Sequence, residues 1–184
     1  MLILLDRDGV INHDMPSGVH NLAMFTIIPR ALDAIAALCN AGHTLCVVTN
    51  QSSVGRGWMS LEALEEIHRY LHDTVLQTGG NIAAIYAAID APDAPSHRRK
   101  PAPDMLLEAM RDFQTSPQDT LLIGDAMRDL EAAARAQCAS ILVRTGKGAQ
   151  TEKDYAAEGL HPIAICDDLW HASKHVLALQ NKSR

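Results

Sequence analysis

Residues 2–9 read Leu2-Ile3-Leu4-Leu5-Asp6-Arg7-Asp8-Gly9, an unbroken apolar run that stops at two acids and a glycine. Aliphatic residues in succession, with no polar alternation, describe a strand buried on both faces, as in a parallel sheet. The pattern recurs. Thr44 to Val48 runs into Thr49-Asn50-Gln51, residues 82–89 run into Asp90, and Thr120 to Ile123 runs into Gly124-Asp125. Shorter apolar runs at 140–143 and 163–166 complete the series.

The intervening stretches have helical character. Over residues 29–40, proline suits the first position, Leu32, Ile35, Ala36 and Cys39 share a face, and Gly42 can close the helix. Ser60 is an N-cap with Glu62 in the first turn, and Leu64, Ile67, Leu71 and Val75 follow at helical spacing before Gly79-Gly80. Pro103 opens a further helix to about residue 113, residues 127–136 form an alanine-rich one, and residues 169–179 the last. Residues 90–97 read as a loop and 116–119 as a capped turn. Strands alternating with helices predict an α/β fold with a largely parallel sheet. Right-handed crossovers then bring the carboxyl ends of the strands to one edge, where such sheets bind ligands. Asp6, Thr49, Asp90 and Asp125 all fall just past strand ends.

The bulk properties bound the function. A chain of 184 residues predicts one domain, taken as residues 1–180, with a frayed tail over 181–184. Aromatics make up only 4%, so the core is aliphatic and alanine-rich. A net charge of −6 with no block of basic residues argues against nucleic acid as a partner. Cys39, Cys46, Cys138 and Cys166 are scattered, without a C-x-x-C, and read as buried small hydrophobes in a reducing cytoplasm. No basic stretch precedes the first strand, and no run reaches the ~18 apolar residues of a membrane span. The expectation is a cytoplasmic protein, a monomer, acting on a small molecule away from membranes.

The segments at the strand ends carry a chemistry. Asp6 and Asp8, one residue apart, can serve as nucleophile and acid/base for phosphoryl transfer. An anionic ester and an anionic nucleophile repel, so a cation has to lie between them. Asp6, the backbone carbonyl of Asp8, and Asp125 make a magnesium set, with Asp129 one turn later to orient it. Thr49-Asn50-Gln51 offers a hydroxyl and backbone N–H groups to phosphate oxygens. Lys100, held extended by Pro101, offers an ammonium.

These strings, D-R-D-G-V-I-N, V-V-T-N-Q-S, R-R-K-P-A-P-D-M-L and I-G-D-A-M-R-D, resemble the four ordered motifs of the haloacid-dehalogenase (HAD) superfamily of phosphatases, over residues 1–150. Within it the chain is similar to the branch of heptose-bisphosphate and histidinol-phosphate phosphatases. The resemblance implies a three-layer Rossmann-like core with a mostly parallel central sheet and no large cap domain. It implies Asp6 as nucleophile, Asp8 as acid/base, and Thr49 and Lys100 as phosphoryl-binding groups. It places Mg²⁺ on Asp6, Asp8 and Asp125, and substrate on Asn50, Gln51, Ser52 and Arg99, with residues 13–17 as a substrate-contacting loop.

Two details refine the expected substrate, a small phosphorylated sugar. Ser52-Ser53-Val54-Gly55-Arg56-Gly57 follows the heptose pattern, and Arg56 is suited to a second, non-reacting phosphate. Relatives often carry a cysteine- and histidine-rich zinc loop before R-K-P. Residues 91–97 hold no cysteine and one histidine, so no zinc is predicted. His68 and His72, four apart on a helix, read as surface residues. Histidinol phosphate is the alternative substrate. A receiver-like signalling domain, which keeps its acyl-phosphate, is the alternative of another class, and Asp8 speaks against it. A catalytically dead binding module is disfavoured by the complete motif set.

Overall fold

The structure, a computed structural model, describes residues 1–94 and 96–182. Among these residues a single sheet has the strands β1 (Leu2–Leu5), β2 (Thr44–Asn50), β3 (Ala84–Ala88), β4 (Thr120–Gly124), β5 (Ala139–Val143) and β6 (Ala164–Cys166). Their order is β3-β2-β1-β4-β5-β6, and every neighbouring pair is parallel. The α/β class and the parallel sheet are those expected.

Three layers follow from the two-residue period of β1. Ile3 and Leu5 face one core, with α1 (Ala31–Asn40), α3 (Leu61–Gln77) and α7 (Leu169–Lys182). Leu2 and Leu4 face the other, packed on Met105, Leu106, Ala109 and Met110 of α4 (Asp104–Asp112) and on Ala132 and Ala133 of α5 (Met127–Arg135). The alanines let α5 approach the sheet closely. A smaller cluster joins Leu130, Leu142 and Leu160. Ser60 caps α3 by accepting from the Ala63 N–H at 3.1 Å, and the helix buries Leu64, Ile67, Leu71 and Val75 as the spacing predicts.

Two helices had no sequence signal, α2 (Ser52–Gly55) and α6 (Gly148–Asp154). β2 runs two residues further than expected, through Thr49 and Asn50. α7 extends to Lys182, and the fraying expected after residue 180 falls partly on residues 183 and 184, outside those described. No helix among the described residues is long and apolar enough to cross a membrane.

The sheet order reverses between β1 and β4. From β1 the chain winds outward through β2 and β3, then returns to the other side. The crevice at such a reversal, beyond the strands' carboxyl ends, is the natural ligand position. Asp6 follows β1 there, and Asp125 follows β4.

Candidate active site

Asp6, Asp125 and Asp129 place carboxylate oxygens within 4.8 Å of one another, all three buried. Lys100, also buried, joins them. Its ammonium donates to the Val48 carbonyl at 2.7 Å and pairs with Asp6 Oδ1 at 3.1 Å and Asp129 Oδ1 at 2.7 Å. Local structure fixes each group. Asn50 anchors Lys100 to the end of β2, its Oδ1 accepting from the Lys100 N–H at 3.0 Å and its Nδ2 donating to the Lys100 carbonyl at 2.9 Å. Asp129 reaches back to accept from the Ala126 N–H at 2.9 Å. Asp125 accepts from the Lys147 N–H at 2.7 Å, and Thr151 Oγ1 donates to its carbonyl at 2.9 Å. Gly9 and Gly146 have positive φ, and a Cβ on either would collide with the Asp125 carboxylate. Glycine is what lets both loops close over that acid.

Charge in this cluster is out of balance. Burial pushes Asp125 up to about 8, with Asp129 and Asp6 adding to the rise. Burial also raises Asp6, against the pull of Lys100. Asp129 behaves oppositely, because Lys100 and Arg128 outweigh its burial and hold it low. Asp6 Oδ2 and Asp125 Oδ1 are buried without a hydrogen-bond partner among the described residues. A hard divalent cation taking oxygen ligands fits this donor set, since it would occupy both free oxygens and relieve the repulsion.

Asp8 stands apart from these carboxylates. Its Oδ1 accepts from Arg7 Nη2 at 2.9 Å and Asn12 Nδ2 at 2.8 Å, and its Oδ2 from Gln51 Nε2 at 2.7 Å. Burial would raise Asp8, but Arg7, Asn12 and Gln51 outweigh it and hold the carboxyl below its usual range. Gln51 Nε2 also donates to Thr49 Oγ1 at 2.8 Å, tying the acid to the hydroxyl at the end of β2.

Above lies a cleft of about 300 Å³, lined by Asp8, Asn50, Gln51, Ser52, Arg56 and Arg99 among others. Of the predicted loop 13–17, Asp14 to Ser17 line it. Thus the predicted substrate residues share the cleft wall, while Thr49, Lys100 and Asp125 are buried and outside its lining. Sequence reasoning missed Arg128, Lys147 and Trp58, which also line the cleft. Arg128 was visible in the string G-D-A-M-R-D, one residue before Asp129. Its Nη2 lies 3.9 Å from Asp6 Oδ2, and Asp129, Asp6 and Asp125 outweigh burial to raise it. Arg99 is lowered by burial and then by Arg128 and Arg56. Guanidinium groups that repel one another across a cleft form an anion site. Lys147 pairs with Asp14 at 2.8 Å, and the Arg56 guanidinium lies 4.8 Å from the Trp58 ring centroid.

A parallel sheet in this order, with acids past β1 and β4 and a buried lysine between them, defines the class, and the chain belongs to the HAD-like hydrolases. The HAD-hydrolase-like family model matches residues 97–172. The chain is 39% identical to the D-glycero-beta-D-manno-heptose-1,7-bisphosphate 7-phosphatase of Pseudomonas aeruginosa, over 91% of this chain and 93% of that one. To the same-named protein of Pseudomonas putida it is 40% identical, over 91% and 94%. Among solved structures, the D,D-heptose 1.7-bisphosphate phosphatase of B. bronchiseptica, complexed with magnesium and phosphate, superposes with a TM-score of 0.90 at 37% identity, covering 96% of this chain and 98% of that one. The Burkholderia thailandensis enzyme superposes at 0.70 with 34% identity, over 96% and 97%.

Proposed function

We propose that this chain is a Mg²⁺-dependent phosphoric monoester hydrolase that removes the 7-phosphate of a D-glycero-D-manno-heptose 1,7-bisphosphate through an aspartyl-phosphate on Asp6. The observation that carries the reading is the buried group of Asp6, Lys100, Asp125 and Asp129 beneath a cleft lined by Arg56, Arg99, Arg128 and Lys147. Relatives named for this activity, at 39% and 40% identity over most of their length, supply the substrate.

The Asp6 carboxylate attacks phosphorus in line with the departing sugar oxygen. Asp6, Asp125 and the Asp8 carbonyl would hold Mg²⁺, with Asp129 fixing Lys100 beside them. Bound there, the cation would supply charge neutralisation between ester and nucleophile. Lys100, Thr49 and Arg128 compensate the phosphoryl oxygens. An incoming phosphate dianion opposes Arg7 and raises the proton affinity of Asp8. Asp8 takes up a proton from solvent as the dianion binds and passes it to the leaving oxygen, and as a carboxylate it next takes a proton from the water that releases phosphate. Asn50, Gln51, Ser52, Arg56 and Arg99 hold the sugar and its second phosphate.

Residues 1–180 form a single catalytic domain in this reading. Every group needed comes from one chain, which supports a monomer, and the free thiols suit the cytoplasm. The test assays purified enzyme with Mg²⁺ on both anomers of the heptose bisphosphate, histidinol phosphate and a generic ester. The highest kcat/KM falls on a heptose bisphosphate, with loss of the 7-phosphate. A preference for histidinol phosphate overturns the substrate assignment.

A further inference from the structure

Arg7 sits between the two acids of the first motif, and its side chain is wholly buried. A buried guanidinium needs every donor directed, or its desolvation goes uncompensated. Its Nε and Nη2 face Asp8 Oδ1 at 3.3 and 2.9 Å, and Nη2 also reaches Gln51 Oε1 at 3.1 Å. Its Nη1 points the other way, to Nε2 of His68 on α3 at 3.3 Å. Arginine has no acceptor, so Nε2 accepts and the ring carries its proton on Nδ1. Burial first, and then the Arg7 charge, push His68 down to about 4, which keeps the ring neutral and able to accept. The Arg7 guanidinium also lies 5.6 Å from the Phe25 ring centroid, so one face of the group is closed as well.

We propose that His68 is a positioning residue: by holding Nη1 of Arg7, it aims the guanidinium fork at Asp8 and Gln51 and so sets the acid/base and, through Gln51, the Thr49 hydroxyl. This inference rests on the reading of Asp8 as the acid/base. Among the described residues, His68 bonds to Arg7 and belongs to neither the cleft lining nor the carboxylate cluster. Its influence is expected on the chemical step rather than on substrate capture.

The experiment compares His68→Leu with His68→Gln, whose side-chain oxygen can accept from Nη1. Steady-state kinetics are normalised to folded protein by near-ultraviolet circular dichroism. His68→Leu is expected to lower kcat by about tenfold or more with KM within about twofold, and His68→Gln to recover kcat to within about threefold of the parent. If His68→Leu does not fold, His68→Asn takes its place, being polar but a methylene too short to reach Arg7. An unchanged kcat in the non-accepting variant, or equal losses in both variants, overturns the proposal. Asp8→Asn is measured alongside. If it retains near-parental kcat, the underlying acid/base reading fails. If Asp8→Asn is inactive while the His68 variants are unaffected, only the role of His68 fails.

Discussion

Lys100 Nζ lies 3.1 Å from Asp6 Oδ1, and the two side chains are 0% and 2% exposed. Burial alone would pull this lysine down, yet Asp129 and Asp6 outweigh it and hold it above its ordinary value. The ammonium therefore stays charged beside the proposed nucleophile, and it is as much a part of the fold as of the chemistry. Lys100→Met is expected to lower kcat by ~10²–10³ through the lost electrostatic contact. It also leaves Asp6 and Asp129 uncompensated, so unfolding in urea should show a loss of ~3 kcal/mol or more.

Asp125 gives a prediction of opposite sign. Its folded value, about 8, lies above the unfolded 3.8. An acid raised on folding binds more protons in the folded state, so its contribution to stability declines as pH climbs from about 4 through 8. Thermal melts of metal-free protein should fall across that window. Asp125→Asn should flatten the decline, raise the metal-free Tm at pH 8, and abolish the Tm increase that MgCl₂ gives the parent.

The pH dependence of His68 runs the other way. Its folded value is lowered from 6.5 to about 4, so in that interval the unfolded chain takes up a proton the folded chain refuses. The stability this ring contributes is complete above 6.5 and is lost as pH falls toward 4. Buried His43 shifts in the same direction, so the parent is compared with His68→Gln, whose Tm should decline less between pH 6.5 and 5.

Arg56 tests the second phosphate. It lines the cleft on the segment after β2 and lies against Trp58. Arg56→Ala should raise KM for the bisphosphate by about tenfold or more, with a much smaller effect on a heptose 7-phosphate lacking the second group. Equal effects on both would assign Arg56 to the reacting phosphate or to structure.

Much of this was legible in the sequence because buried parallel strands are apolar without interruption, as Leu2 to Leu5 shows. The acids past β1 and β4 were legible for the same reason, since a charge that ends such a run marks the strand's carboxyl end. α2 and α6 left no trace. Each spans two turns or less and buries little, only Ser53 in one and Gly148 and Thr151 in the other, so neither has an apolar period to detect. Asp129 read as an orienting acid beside the metal set, and its carboxylate lies with those of Asp6 and Asp125, ligand atoms within 4.8 Å of one another. Arg128, in the first turn of α5, drew no reading, because a single arginine there has no apolar or charge pattern of its own. His68 read as a surface residue because it and His72, four apart on a helix, had no third metal ligand with them. It instead flanks the stripe of Leu64, Ile67 and Leu71, and what it meets there, Arg7, lies sixty-one residues away in the chain. Long-range polar partners leave no local pattern, whereas apolar periodicity does.

In the proposed mechanism the Asp6 carboxylate takes the phosphoryl group. The direct measurement is acid quenching of the enzyme during turnover of heptose bisphosphate with Mg²⁺, followed by mass spectrometry of the peptide containing Asp6 and Asp8. A phosphoryl adduct is expected on Asp6 in the parent, and neither adduct nor turnover in a folded Asp6→Asn. Turnover near the parental rate in Asp6→Asn, or an adduct on any other side chain, would contradict it.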